Sequence, residues 1–202
     1  MIKILIATHN KNKKKEVKNI LKKFTNIRII DLSSLKVKTP IIVEDGKTFR
    51  QNAVKKAVIT SMFFDGYVLA DDSGLEVEAL NGRPGVRSAR FARKEATDQE
   101  NNTKLLKLLD KVTKRKRKAR FVCCLAFAKQ GLLLETFEGI VEGEIAFKEK
   151  GTNGFGYDSI FIPKKHGKSF AEMTETYKNR ISHRGNALKK FKDNIKKHIN
   201  KK

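Results

Sequence analysis

The spacing of apolar residues changes several times along this chain, and each change marks an element. Ile2 to Ala7 is almost uninterrupted in its apolar character, the pattern of a buried strand. Thr8 to Lys13 is polar and reads as a loop. Val17, Ile20, Leu21 and Phe24 then recur at helical spacing. Ile27 to Leu32 reads as a second strand. Thr48 to Phe63 reads as a helix carrying Phe49, Ala53, Ala57, Val58 and Met62 on one side. Tyr67 to Ala70 is a short strand that ends in two acids, Asp71 and Asp72, and turns at Ser73-Gly74. Thr97 is placed to cap a helix bearing Leu105, Leu108, Leu109 and Val112. Thr113 to Lys118 is a basic connector. Ala119 to Lys129 and Leu132 to Ile145 form a hairpin that turns at Gln130-Gly131. Ile160 to Ile162 is a short strand, and Ser182 caps a last helix with Leu188, Phe191 and Ile195 inward. From Lys196 onward the tail is polar and expected to fray.

This order implies an α/β protein with a mixed sheet, because the hairpin is antiparallel and the N-terminal strand-helix-strand unit is not. There is no internal repeat and no linker-like change of composition, so residues 1–202 read as one domain. The longest apolar run, Phe121 to Ala128, is far too short to span a bilayer. The opening Met1–Ala7 is too short for a secretory leader. Cys123 and Cys124 are adjacent on a strand, so their side chains point to opposite faces and do not bridge. A soluble cytoplasmic protein in a reducing compartment is expected.

Charge changes the picture. The chain has 45 basic and 22 acidic residues, a net charge of +23. Such a balance suits a polyanionic partner. Yet the excess is mostly lysine, spread over helix faces and the tail, and biased nucleotide composition in the source genome gives the same background. The basic residues are not interleaved with aromatics as a base-stacking platform requires.

Five clusters carry candidate chemistry. Thr8-His9-Asn10-Lys11-Asn12-Lys13 lies between a strand and a helix, where backbone N–H groups and the positive helix end favour an anion. It lacks the glycines and the Lys-Ser/Thr ending of a Walker loop, and Thr8 and Asn10 also suit plain helix capping. Glu44 stands in a loop before the second helix, a hard-oxygen ligand or a solvated acid beside an Asp45-Gly46 turn. Asp71 and Asp72 suit either an ordinary polar turn after a strand or a ligand site; if the strand persists, successive residues face opposite ways, so one works on the ligand and the other supports the local structure. Gly154-Phe155-Gly156-Tyr157-Asp158 puts aromatic faces between glycines and ahead of an acid, suiting either a nucleobase or a tight turn with a buried ring. Lys178, His183 and Arg184 crowd the start of the last helix, where cations are disfavoured unless an anionic or carbonyl-bearing ligand compensates; the alternative is that Ser182 is a plain cap and the rest are surface charges. No G-x-S-x-G, C-x-x-C or clustered His/Cys ligand set occurs in the sequence, which removes the serine-hydrolase and zinc-site readings.

Together these segments resemble the inosine/xanthosine triphosphate pyrophosphatase family, from about Ile4 to Leu188. The resemblance rests on Thr8-x-Asn10-x-x-Lys13, Glu44-x-Gly46-x-Thr48-Phe49-x-x-Asn52-Ala53, Ala70-Asp71-Asp72-Ser73-Gly74-Leu75, Pro84-Gly85-Val86-x-Ser88-Ala89-Arg90, Gly154-Phe155-Gly156-Tyr157-Asp158 and Ser182-His183-Arg184-Gly185. Each is weak alone; all six in order are specific. It implies an elongated mixed sheet with flanking helices, two lobes around a nucleotide cleft, and a homodimer. It implies hydrolysis of ITP, dITP and XTP to the monophosphate and pyrophosphate with Mg²⁺. Asp72 would be the general base, with Glu44 and Asp72 near the metal. Thr8 to Lys13 would hold phosphates, and Ser73, Phe155, Gly156, Tyr157, Asp158, Lys178, His183 and Arg184 would complete the nucleotide site. Three positions depart from the family pattern: Asn12 and Arg93 stand where glycine is usual, and Ser159 where proline is. Two other readings compete. One is a nucleic-acid-binding module driven by charge; the other is a related pyrophosphatase acting on pyrimidine nucleotides.

Overall fold

A computed structural model describes residues 2–22, 27–35 and 39–199. Strand β1 (Ile2–Ala7) leads through three residues into helix α1 (Lys11–Leu21) and strand β2 (Ile27–Asp31), which returns parallel to β1. Helix α2 (Phe49–Ser61) precedes strand β3 (Tyr67–Val77), parallel to β1 on its other side. Helix α3 (Asp98–Leu108) leads to strands β4 (Lys118–Lys129) and β5 (Leu132–Ile145), and strand β6 (Phe161–Pro163) pairs antiparallel with β5. Helices α4 (Glu175–Ile181), α5 (His183–Asn194) and α6 (Lys196–Ile199) close the chain. The sheet order is β2-β1-β3-β4-β5-β6, so the expected mixed sheet is present. β4 and β5 are neighbours joined by two residues, and so short a link permits only an antiparallel pair. Those residues, Gln130 and Gly131, both have positive φ, as a tight hairpin turn requires.

The chain divides into two compact units. The first is Met1–Asp72, Cys123–Gly139 and Arg184–Lys202; the second is Ser73–Val122 and Ile140–His183. The first has a core of Ile4, Ile6, Val17, Leu21, Leu69, Leu125, Phe127, Phe137, Leu188, Phe191 and Ile195. The inward residues expected of the last helix are all here. The second core gathers Leu75, Val77, Leu105, Leu109, Phe121, Tyr157, Phe161 and Phe170.

Several boundaries differ from expectation. Helix α1 starts at Lys11, because Asn10 caps it: the Asn10 carboxamide oxygen accepts from the N–H groups of Asn12 and Lys13, each at 3.0 Å. Strand β3 does not stop at Ala70 but runs through Asp71, Asp72, Ser73 and Gly74. Polar residues survive there because the buried acids find cationic partners. Lys178 belongs to α4, a separate helix, and not to the start of the last one. Residues 196–199 are helical, since Ile199 packs on the first core and the His198 ring nitrogen lies 2.6 Å from a Glu135 carboxylate oxygen. Met62 and Leu108 are exposed although helical spacing suggested burial. Phe24 lies outside the described residues. Among the described residues, no helix is long and apolar enough to cross a membrane.

Candidate active site

Pairing between β1 and β3 ends at Ala7 and Ala70. Asp71 and Asp72 are therefore the first residues of β3 beyond its parallel partner, and α1 begins beside them. The C-terminal ends of parallel strands are where open α/β sheets bind ligands. As successive strand residues, the two acids point opposite ways and meet different partners.

Asp71 joins a buried ion network. One carboxylate oxygen lies 2.7 Å from the Lys13 ammonium, and the other accepts from Arg184 Nε at 2.9 Å and from the Cys123 thiol at 3.1 Å. The Arg184 guanidinium also pairs with Glu16, one turn after Lys13 on α1. Charges alternate along Glu16, Arg184, Asp71 and Lys13, so each buried charge is compensated. Burial alone would raise the Asp71 pKa, but Arg184 and Lys13 outweigh it and hold the carboxyl well below its ordinary value. Burial would likewise lower that of Lys13; Asp71 outweighs it and the ammonium is held above its ordinary value. These partners correct the expectation that Arg184 needs a ligand to offset a cation at a helix start. Protein carboxylates supply the compensation.

Asp72 has a different setting. The Asn52 carboxamide nitrogen donates to one oxygen at 3.0 Å, and the Lys56 ammonium is 3.6 Å from the other. Lys56 also lies 3.0 Å from Glu44 and donates to the Asp71 carbonyl at 2.7 Å. Asn52 is tied to the Glu44 loop, because the Gly46 N–H donates to its oxygen at 2.8 Å. A Cβ at Gly46 would stand 2.5 Å from that oxygen, so the close approach requires glycine. Burial pushes the Asp72 carboxyl above its ordinary value; Lys56 and Lys13 pull it back, and Glu44 adds to the rise. The result is a carboxylate more basic than usual, the property a general base needs.

Glu44 and Asp72 thus converge on one cation of the chain. Their donors are hard oxygens. Among the described residues there is no group of three or more His, Cys, Asp or Glu side chains placed to hold a metal. Two carboxylates with substrate phosphates completing the sphere is a usual arrangement for Mg²⁺, so the residues fit that ion.

The remaining expected residues are distributed as follows. Thr8 is half-buried and its hydroxyl accepts from the Asn10 N–H at 3.2 Å. His9, Lys11 and Asn12 are exposed. The N–H groups of Asn12 and Lys13, read from sequence as open to an anion, are instead taken by Asn10. Ser73 is half-buried on β3.

In the second unit, Lys178 and Asp158 form a buried pair at 2.5 Å. The same Asp158 oxygen accepts from the Phe155 N–H at 2.8 Å. The Lys178 ammonium sits 4.7 Å from the centre of the half-buried Phe155 ring. A Cβ on Gly154 would lie 2.1 Å from the Asp158 carboxylate, and Gly154 has φ +82°. Tyr157 separates from Phe155: its ring is in the core and its hydroxyl donates to the Ser88 carbonyl at 2.8 Å. Of the two aromatic faces expected for a nucleobase, Tyr157's is therefore used by the fold. The His183 ring stacks on Phe121 with centres 4.7 Å apart. Ser159, at a family proline position, accepts from the Asn102 side chain at 3.1 Å and donates to Glu149 at 2.9 Å. Arg93 grips Glu100 with two nitrogens at 2.7 and 3.0 Å, on the surface.

Sequence reasoning gave no role to Glu16, Asn52 and Lys56. Spacing held the signal: Glu16 is three residues after Lys13, and Lys56 four after Asn52, each pair on one helix face.

Comparison with known proteins covers nearly the whole chain. A model of the Ham1 family matches residues 4–194. A dITP/XTP pyrophosphatase of Oceanobacillus iheyensis is 47% identical over 188 residues, covering 93% of this chain and 95% of that protein. One from Clostridium perfringens is 44% identical, covering 97% of this chain and 98% of that protein. Among solved structures, a HAM1 protein from Coxiella burnetii superimposes with a TM-score of 0.87 at 38% identity, covering 98% of this chain and 100% of that one.

Proposed function

This chain belongs to the Ham1 family, and we propose that it hydrolyses the deaminated purine nucleoside triphosphates ITP, dITP and XTP to monophosphate and pyrophosphate. The observation that carries the reading is Asp72: a buried carboxylate of raised pKa, oriented by Asn52 and set beside Glu44 and Lys56 where the parallel strand pairing ends.

Asp72 takes a proton from water. The water oxygen forms a bond to the α-phosphorus, the bond from that phosphorus to the bridging oxygen breaks, and pyrophosphate leaves with the electron pair. Asn52 holds one Asp72 oxygen and leaves the other for the water. Lys13, kept charged by Asp71, attracts the phosphates, and Asp71 with Arg184 and Glu16 fixes where that charge stands. Mg²⁺ would be held by Glu44 and Asp72, and when bound it offsets charge on the phosphate oxygens. Phe155 offers the base a ring face, with Lys178 and Asp158 fixing it. Selectivity against ATP follows from reading the purine 6-oxo group, which adenine lacks, since a site built to hydrogen-bond it leaves polar groups unpaired when ATP enters. Guanine also carries that group, so selectivity against GTP involves position 2 of the base as well.

The chain works as a cytoplasmic homodimer, binds no specific nucleic acid, and clears these nucleotides before they reach DNA or RNA. The high match to proteins named dITP/XTP pyrophosphatase supports the substrate class. Turnover of ITP, XTP, GTP, ATP, dTTP and UTP, followed by pyrophosphate release with Mg²⁺ and with chelator, tests the reading. ITP and XTP should lead and chelator should abolish turnover. A preference for dTTP or UTP, or full activity without metal, would overturn it.

A further inference from the structure

The segment carrying Phe155 is gripped from outside by a helix to which no role has been given. Asp98 and Asn102 stand four apart on α3 and share a face. The Asp98 carboxylate accepts from the Gly156 N–H at 2.6 Å. The Asn102 side-chain nitrogen donates to the Gly156 carbonyl at 3.1 Å. One residue is thus held by both its peptide groups, from two side chains of one helix. Gly156 has φ +64°, yet a Cβ there would meet no atom within 4 Å. Glycine is needed for the backbone angle and not for space, so the grip selects a left-handed conformation that most residues resist. On the other side, the Phe155 N–H is fixed by Asp158.

The helix itself is braced. Thr97 and Glu100 form a reciprocal cap, and the neighbouring Asn101 accepts from the Ala92 N–H at 2.8 Å and donates to the Ala89 carbonyl at 3.3 Å. Asn102 is buried. The Phe155 ring therefore projects from a backbone whose flanking peptide groups are anchored to a rigid element, the arrangement that holds a binding surface to a narrow range of positions.

We propose that Asp98 and Asn102 are positioning residues that set the Phe155 ring by holding the Gly156 peptide groups, and thereby tune affinity for the purine base without touching it. This rests on the reading of Phe155 as the base platform. Stacking of a base on an aromatic side chain is worth about 1–3 kcal/mol, roughly 5–150-fold in binding. Misplacing the ring should forfeit part of that.

The test is a double-mutant cycle on the full chain with ITP as substrate. Asp98→Ala and Asn102→Ala should each raise KM by roughly 5–10-fold with kcat little changed, and neither should exceed the effect of Phe155→Ala. Asp98→Asn, which retains an oxygen acceptor, should restore most of the affinity. In a Phe155→Ala background, Asp98→Ala should add nothing, because the ring it positions is gone. A purely structural role predicts the reverse: additive effects, kcat falling together with affinity, and no rescue by asparagine. That pattern, with Phe155→Ala still raising KM, overturns the inference alone. If Phe155→Ala leaves KM unchanged, the platform reading fails and the inference fails with it.

Discussion

The acids of β3 and the glycine-flanked segment at 154–158 reach defined geometry by opposite means. Around Asp71 and Asp72 the work is done by side chains from four elements: Lys13 and Glu16 on α1, Asn52 and Lys56 on α2, the acids on β3, and Arg184 on α5. Around Phe155 it is done largely by backbone, with Asp98, Asn102 and Asp158 each bonded to a peptide group. A charge network fixes protonation states, which suits proton transfer and phosphate binding. A backbone clamp fixes the position of a ring, which suits shape recognition. The two regions should therefore fail differently when altered: the first in rate, pH profile and stability, the second in affinity.

The sharpest test of the first half of that contrast is Asp72→Asn. The amide keeps the size of the side chain but cannot accept the proton. Loss of a general base typically costs about 10²–10⁴-fold, so kcat should fall by that order while nucleotide binding persists. A variant retaining more than about a tenth of wild-type kcat would show that Asp72 is not the base.

Arg184→Met should act on the fold. Removing Arg184 takes from Asp71 and Glu16 the cation they share and leaves Asp71 with Lys13 alone, and breaking a buried pair in this way costs about 3–5 kcal/mol. For a chain of this size each kcal/mol lowers Tm by roughly 2–4 °C. The sign with pH follows from Asp71, whose folded pKa is depressed. Its contribution is complete above its unfolded value of 3.8 and is lost as pH falls through the lower folded value. The stability gap between wild type and variant should therefore narrow as pH drops below about 3.8. A gap that stays constant would mean that Asp71 and Arg184 are not coupled.

Lys56→Ala should move a pH profile more than it moves the fold. The base must be ionised, so kcat/KM declines as pH falls through the Asp72 pKa, which lies above 3.8. Lys56 pulls that value down. Its removal should shift the acid limb upward, because an opposite charge at this range favours the ionised form. An unmoved limb would assign the titration to another group.

The two regions were also unequally legible in the sequence. The strands, the hairpin turn and the inward face of α5 follow from local periodicity and turn chemistry, and all are present. The acids were visible because carboxylates after an apolar run are conspicuous. Their setting was not: the extension of β3 through Asp71 depends on Lys13, Cys123 and Arg184, which are far apart in the chain. Propensity alone puts a turn at Asp-Asp-Ser-Gly, and tertiary pairing overrides it. The short α4 escaped notice because its seven residues are too few to show a period, and with it went the origin of Lys178. The split between Phe155 and Tyr157 turns on whether Ser88 is within reach of a hydroxyl, which no local pattern records.

The smallest effect should come from Arg93, which stands where the family usually has glycine. Its guanidinium grips Glu100, but more than half of the Arg93 side chain is exposed at 58%. Exposed pairs contribute little, because solvent screens them and ordering two side chains offsets the attraction. The effect should instead be local. The Arg93 hydrogen bond is the largest cause holding the Glu100 carboxyl down at about 2, and the Thr97 backbone N–H is the next. In Arg93→Gly the first is lost and the second remains, since Glu100 still closes the reciprocal cap with Thr97. The Glu100 pKa, followed by carbon NMR of its carboxyl, should therefore rise from about 2 while staying below the ordinary 4.5. Tm and the KM for ITP should be unchanged, because Asp98 and Asn102 keep their hold on Gly156 through a helix whose cap is intact. A raised KM in Arg93→Gly would mean that the surface pair, and not the cap, is what steadies α3 beneath the Phe155 segment.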